Sequence, residues 1–377
     1  MQVKNNPDKT MKKFFRIILF TLNAIVLGCL LLSAFSGYIS PYRFVFFSYL
    51  GLFFPFILVG NIAVFIAWLL FKQWKLVLLH FAVFGICGGA IYTYCPLHKK
   101  TGDIPEDAIK ILTYNVMRFN DLKKDDPGDP PNKILQYIRE NNADIVCIQE
   151  FGALKNNVNF ITKENIMDAM KKYPYHYLHS LHFSRQREIY DLAIFSRFPI
   201  LSTMKVPYES VFNGSFVAEL DVNGKQVTLI NNHLESNKLT EEEKSSYYQL
   251  TREIDTQSLD AFTQTMTTRL TPAFKARADQ AHMISRIIKE NSNPYLIVCG
   301  DFNDTPISYV RYKLKENLRD AFVDSGFGLG ITYNKNRFLF RIDYILHSKN
   351  IKSYNCTVGN LKSSDHYPIW CYLQLKE

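Results

Sequence analysis

Eight polar side chains in this chain share one placement. Asn115, Glu150, His233, Asp301, Asn303, Asp343, Asp365 and His366 each fall at or beside a short apolar run. Carboxylates, amides and imidazoles are the groups that hold a hard cation, move protons and donate to developing charge. The densest stretch is Pro294 to Pro306. Tyr295 to Cys299 reads as a buried strand, Gly300 frees the backbone, and Asp301, Asn303 and Asp304 crowd the strand's carboxyl end. Ligands of α/β sheets bind at that end. Asp, Asn and Gly also form ordinary polar turns, so this stretch alone reads either way. Asp343 is the odd member, because it sits inside Arg341-Ile342-Asp343-Tyr344-Ile345-Leu346 and strands disfavour aspartate. An acid there needs a partner, and Ser364-Asp365-His366 supplies an imidazole. Asp–His pairing orients the ring and stabilises its charged form.

These residues need strands to present them. Ile109 to Tyr114 reads as a strand ending at Asn115, and Asp144 to Gln149 as one ending at Glu150. Pro131 to Asn141 between them reads as an amphipathic helix, with proline in its first turn. Leu192 to Ser196 is a further strand, stopped by Pro199. Phe216 to Asp221 and Gln226 to Asn231 flank Asn223-Gly224, a hairpin signal. A helix-forming stretch begins at Thr240, a longer helix covers Phe274 to Glu290, and a short one covers Ile307 to Asn317. The last strands centre on Ile342 to Leu346 and Ile369 to Leu373. Tyr247, Tyr248, Arg252, Arg269, Lys275 and Arg277 flank an insertion after His233. Their charge pattern reads as a solvated helix face, with a substrate-facing loop as the alternative.

The chain has 377 residues, 47% hydrophobic and 21% charged, which excludes a disordered polymer. Its net charge of +9 suits anionic partners, although lysines beside membrane spans explain part of it. Seven cysteines without a CxxC pair exclude a zinc ribbon. Cys147 and Cys299 read as buried thiols, and Cys356 and Cys371 can pair in an oxidising compartment. Before Cys95 the texture is different. Ile17 to Phe35, Phe44 to Phe71 and Leu76 to Tyr94 are uncharged runs of spanning length. A signal peptide shares the basic start, but two further spans argue against it. Lys4, Lys9, Lys12, Lys13, Arg16, Lys72 and Lys75 outnumber Arg43, Lys99 and Lys100 across the spans. The positive side is cytoplasmic by rule, which predicts a multi-pass protein of the cytoplasmic membrane with everything after Pro96 outside. The predicted division is a tail over 1–13, three transmembrane helices over 14–96, a linker over 97–108 and a catalytic domain over 109–377.

Six motifs then occur in one order, each beside a strand. They are Thr113-Tyr114-Asn115-Val116, Ile148-Gln149-Glu150, Asn231-Asn232-His233-Leu234-Glu235-Ser236, Gly300-Asp301-Phe302-Asn303-Asp304, Arg341-Ile342-Asp343-Tyr344-Ile345 and Ser364-Asp365-His366. Together they resemble the signature set of the endonuclease/exonuclease/phosphatase family, over about Ile109 to Glu377. The resemblance implies an α/β sandwich of two packed mixed sheets with outer helices. It implies Mg²⁺ or Mn²⁺ held by Glu150, with Asn115 nearby and Asp365 completing the carboxylate set. Asp301 is implied to position the attacking water or share the metal, and Asn303 to donate to the phosphoryl oxygens. His366, oriented by Asp343, is implied as base or phosphate clamp, and His233 stands near the leaving group with Glu188 as its loosely aligned partner. Asn232 departs from the usual small residue before that histidine. The implied activity is phosphoester hydrolysis, of nuclease type first, with a lipid phosphodiesterase or phosphatase as the alternative. A catalytically silent membrane scaffold is the reading from another class. The implied partners are a phosphoester or nucleic acid and, through residues 14–96, a lipid bilayer.

Overall fold

The computed structural model describes residues 7–125, 130–154, 160–183, 187–208, 210, 213–237, 260, 263–264, 266–335 and 339–376, with no side-chain description for 7–13, 15, 180–183, 187–191 and 266. The helical stretch expected from Thr240, with Tyr247, Tyr248 and Arg252, lies outside these residues, as does the side chain of Glu188. The chain divides into two units: Met1–Tyr94 with Ile307–Tyr309, and Cys95–Pro306 with Val310–Glu377.

The first unit is helical. Pro7–Ala34 forms one helix, so the segment expected as a polar tail is helical from Pro7 onward. Its Arg16–Ala34 part is long and apolar enough to cross a membrane. The second and third expected spans are broken helices. Phe46–Leu52 meets Phe54–Leu70 at 64°, and Trp74–Ile86 meets Gly88–Tyr94 at 65°. Pro55 cannot donate a helical hydrogen bond to the preceding turn, which accounts for the first break. Gly88-Gly89 weakens helix continuity at the second. One helix therefore qualifies by itself, and up to three if each bent pair counts as one span. Leu27, Leu30, Phe54, Val83, Cys87 and Tyr94 pack together, while Phe14, Val59, Leu78 and Phe81 face outward.

The second unit is built on two sheets. Strands β1 (Ile109–Asn115), β2 (Ile145–Gln149), β3 (Gly152–Leu154), β4 (Tyr175–Phe183), β5 (Arg187–Ser196), β12 (Ile351–Val358) and β13 (Ile369–Leu375) form the first. It runs in the order β12-β13-β1-β2-β5-β3, with β4 also on β5. Strands β6 (Ile200–Lys205), β7 (Gly214–Val222), β8 (Lys225–His233), β9 (Tyr295–Asp301), β10 (Arg319–Asp320) and β11 (Asp343–His347) form the second, in the order β10-β11-β9-β8-β7-β6. Each sheet is mixed, since β1–β2 and β8–β9 are parallel while their other neighbours run antiparallel.

Residue parity explains the layering. Successive strand residues point to opposite faces. Ile109, Ile111, Ile145, Cys147, Leu229, Ile297, Cys299 and Ile345 meet between the sheets. Leu112, Tyr114, Val146 and Ile148 face outward onto the helices Lys133–Asn141 and Lys163–Ala169. Ile230, Leu296, Val298 and Leu346 pack against the helix Thr271–Glu290. Both faces of these strands are buried, which is why they read as unbroken apolar runs. The Asn223-Gly224 hairpin forms, with both residues at positive φ. The helix expected from Pro131 begins instead at Lys133, because the Asn132 side chain accepts from the N–H groups of Ile134 and Leu135. The stretch read as a linker is hydrogen-bonded to the second unit: His98 N–H donates to Gly326 O at 3.1 Å, and Thr101 N–H to Asn355 Oδ1 at 2.9 Å. Cys356 and Cys371 are buried free thiols, as are Cys147 and Cys299.

Candidate active site

The same parity builds the site. Counting from the core residues of each strand, Thr113, Asn115, Gln149, Asn231, His233, Asp301 and Asp343 all fall on the inter-sheet face, at one end of it. Register brings the ends level. His233 pairs with Asp301 across β8–β9, Asp343 pairs with Asp301 across β9–β11, and Asn115 pairs with Gln149 across β1–β2. The hydrophobic layer between the sheets thus gives way to a polar one. Gly300 permits this close approach: its φ is +120°, and a Cβ there would lie 2.0 Å from the Asn232 carbonyl oxygen.

Asp301 is the hub. Its Oδ1 accepts from the Asn303 N–H at 2.8 Å, and its Oδ2 accepts from Asn115 Nδ2 at 3.1 Å. That same Oδ2 lies 3.6 Å from His366 Nε2 and 3.9 Å from His233 Nε2. Asn115 Nδ2 also donates to Glu150 Oε1 at 3.1 Å, and Glu150 Oε1 lies 3.9 Å from His233 Nε2. Asn115 in this arrangement fixes the two carboxylates, because its own oxygen accepts from the Met117 N–H. The Asp343–His366 pairing forms, with Oδ2 to Nδ1 at 2.8 Å. Both side chains are buried, and the ring of Tyr333 packs edge-on against His366. Asp343 Oδ1 has no hydrogen-bond partner among the described residues. Ser364 ties the His366 loop to β1 by donating to Asn115 O at 2.8 Å. Asn303 turns its amide inward and donates to Leu234 O at 2.9 Å. Glu150 and Asn303 both hold φ of 52°, a conformation whose cost of about 1–3 kcal/mol is tolerated mainly at functional sites.

The electrostatics follow from this geometry. Burial opposes charge on His366, but Asp343 and Asp301 outweigh it and lift the imidazole to about 10. Asp365 adds to the same effect. Burial pushes Asp301 up to about 6, with Asp343 adding to the shift and His366 and His233 restraining it. Ligand atoms of Asp301, Asp343 and His366 lie within 4.8 Å of one another. The short Asp343–His366 contact is a hydrogen bond, so that pair is committed to itself. Glu150, whose side chain is 34% exposed, is the open carboxylate of the cluster. Hard oxygen donors of this kind fit a divalent cation such as Mg²⁺ or Mn²⁺, whereas the thiols of Cys147 and Cys299 lie in the hydrophobic core.

Several residues beneath the site lie in or beside the motifs, but their roles emerge only from the structure. Gln149 Nε2 donates to Thr113 Oγ1 at 3.0 Å and to Asn231 Oδ1 at 2.7 Å, bridging the sheets. Asn231 Nδ2 donates back to Ala193 O at 3.1 Å. Strand parity at the polar end of an apolar run is the signal that finds them. Thr332 Oγ1 accepts from the Ile342 and Asp343 N–H groups, fixing the start of β11. Asn232 is accommodated, because Ser215 Oγ donates to it at 2.7 Å and it donates to Cys299 O at 3.0 Å. Arg277 corrects the sequence reading: it is fully buried beside Asp304, Glu235 and Asn237 rather than on a solvated face. Arg269 is exposed, as expected.

Comparison with known proteins identifies the family. The sequence model described as the Endonuclease/Exonuclease/phosphatase family matches residues 112–366. A second, described as a domain of unknown function, matches residues 13–94. No curated protein matches the chain by sequence. Among solved structures, an endonuclease/exonuclease/phosphatase from Bacteroides vulgatus is similar at 18% identity, covering 71% of this chain and 99% of its own, with a TM-score of 0.48. A family protein from Leptotrichia buccalis C-1013-b is 21% identical over 71% of this chain and 99% of its own, with a TM-score of 0.46. One from Beutenbergia cavernae DSM 12333 is 13% identical over 71% of this chain and 72% of its own, with a TM-score of 0.47. The family match covers most of the chain and spans each of the six motifs, from the Thr113 strand to His366. The chain therefore belongs to the endonuclease/exonuclease/phosphatase family of metal-dependent hydrolases.

Proposed function

We propose that this chain is a membrane-anchored phosphodiesterase of nuclease type, dependent on Mg²⁺ or Mn²⁺. The observation that carries the reading is the convergence of the Asn115 amide and the His233 and His366 rings on Asp301 Oδ2, with Glu150 Oε1 beside the same amide and the same His233 ring. Glu150 and Asp365 would hold the cation, with Asn115 orienting the carboxylates. The cation they would hold would supply charge neutralisation to the reacting phosphoryl group. The other roles belong to side chains. Asp301, at about 6, takes the proton of the attacking water. His366 stays charged through Asp343 and clamps a phosphoryl oxygen. His233, beside both carboxylates, faces the departing oxygen and gives it a proton. Asn303 holds the segment after His233 through Leu234 O.

The test is a substrate panel on the full chain with Mg²⁺: DNA, RNA, sphingomyelin, inositol phosphates and nucleotides. Metal-dependent cleavage of a nucleic acid is the expected result. Turnover confined to sphingomyelin or inositol phosphates would move the assignment to the lipid reading, which the apolar helix before the catalytic unit favours. No turnover of any phosphoester would leave the silent scaffold.

Three spans over residues 14–96, with 97–108 and the catalytic region 109–377 on the outer face of a cytoplasmic membrane, complete the proposal. Its support is the Arg16–Ala34 helix, the two bent apolar pairs and the lysine asymmetry. Alkaline phosphatase fused after Lys100 should be active in cells, and a reporter that works only in the cytoplasm should be silent there. The reverse pattern overturns the orientation.

A further inference from the structure

The segment that follows His233 at the end of β8 is held by a helix the reaction does not otherwise use. Glu235 follows His233 by two residues, and both of its backbone polar groups are taken by side chains of the helix Thr271–Glu290. Arg277 donates to Glu235 O at 2.8 Å, and Gln280 Oε1 accepts from Glu235 N–H at 2.8 Å. Positions three apart share one helix face, so the two side chains form one clamp on one residue. Arg277 also donates to Asn237 Oδ1 at 2.8 Å and stands 3.5 Å from Asp304 Oδ2. Asp304 adjoins Asn303, which donates to Leu234 O. Asn213 donates to that same carbonyl at 3.1 Å.

We infer that Arg277 and Gln280 are positioning residues for His233, setting the imidazole against the leaving group from behind. A buried arginine on this face is not needed to fill the core, since the same helix packs there through Ala281, Ile284 and Ile288. Its directed donors instead join the His233 segment to the Asp301–Asp304 turn. Both ends of the reacting bond are thereby referenced to one rigid helix. Small displacements of a group that must protonate a departing oxygen are costly to rate.

The inference rests on the phosphodiesterase reading, and leaving-group chemistry separates the two. Full-length protein is assayed with Mn²⁺ on a dinucleotide, whose alkoxide must be protonated as it leaves, and on a nucleoside 5′-(4-nitrophenyl) phosphate, whose phenolate leaves without a proton. Gln280→Met and Arg277→Lys should each lower kcat on the dinucleotide by about tenfold or more, within the range of acid–base contributions, and on the aryl ester by less than about threefold. In a His233→Ala background neither substitution should cost more, because the group they serve is gone. In metal-free protein the ¹⁵N resonances of the His233 ring should shift in both variants while those of His366 stay. Gln280→Met removes no charge and keeps the test open where Arg277→Lys fails to fold. Equal losses on both esters, or losses that add to His233→Ala, overturn the inference. Failure of the parent enzyme on both esters overturns the phosphodiesterase reading instead, and the inference with it.

Discussion

Replacing Asp343 by Asn or His366 by Ala should each reduce hydrolysis by at least about a hundredfold, the lower end of acid–base contributions. The two side chains are buried, 2.8 Å apart, and Asp343 Oδ1 has no other partner among the described residues. Asp343 is thus the foremost of the carboxylates that keep His366 charged. A buried carboxylate is costly without a partner, and the imidazole stays protonated only because carboxylates face it. The double variant should be little worse than the worse single, since groups acting as a unit are non-additive. Additive free-energy losses in a double-mutant cycle on folded variants would refute the pairing as a functional unit.

The pH dependence has a definite sign. His366 is raised in the folded state, from an ordinary value near 6.5 to about 10. Its contribution to stability is fully present below about 6.5 and is lost as pH rises through about 10. The stability deficit of Asp343→Asn, measured against the parent by urea unfolding, should therefore be larger near pH 6 than above neutrality and shrink towards pH 10. The rate should follow a bell with an acid limb near the Asp301 value of about 6 and an alkaline limb near 10. Asp343→Asn should pull the alkaline limb down. An alkaline limb that stays in place would show that Asp343 does not hold the His366 charge.

Glu150→Gln is the second large effect. The substitution keeps the side chain's shape and its acceptor towards Asn115, but removes one anionic oxygen from the open side of the cluster. Hard cations are held by few protein carboxylates, so losing one should weaken Mg²⁺ binding by about ten- to a hundredfold. Calorimetric titration of Mg²⁺ into metal-free protein measures this without turnover, and activity at fixed metal should fall with it. Excess Mn²⁺ should restore part of the rate. Unchanged titration and rate would remove Glu150 from the metal site. Chelation of the parent enzyme should abolish hydrolysis and leave the two-sheet core intact, because Thr113, Gln149 and Asn231 are tied together by protein hydrogen bonds.

Much of this site was legible before any coordinates. The positions of Asn115, Glu150, Asp301 and Asp343 follow from apolar runs that end in polar residues, and an aspartate in a strand announces a partner. The hairpin at Asn223-Gly224 and the long helix towards Glu290 follow from local conformational preference. Edge strands such as β4, β6 and β12 were not legible, because a strand's membership of a sheet edge depends on neighbours distant in sequence. The breaks in the apolar helices were visible only as Pro55 and Gly88-Gly89, whose effect depends on what packs around them. Sequence alone determined which residue types stand at which strand ends. Tertiary structure decided the rest: the register that levels His233, Asp301 and Asp343, the bridge from Gln149 to Asn231 between the sheets, and the burial of Arg277. The physical reason is that parity and propensity are local, whereas register and the partner of a buried charge are set by contacts between segments far apart in the chain.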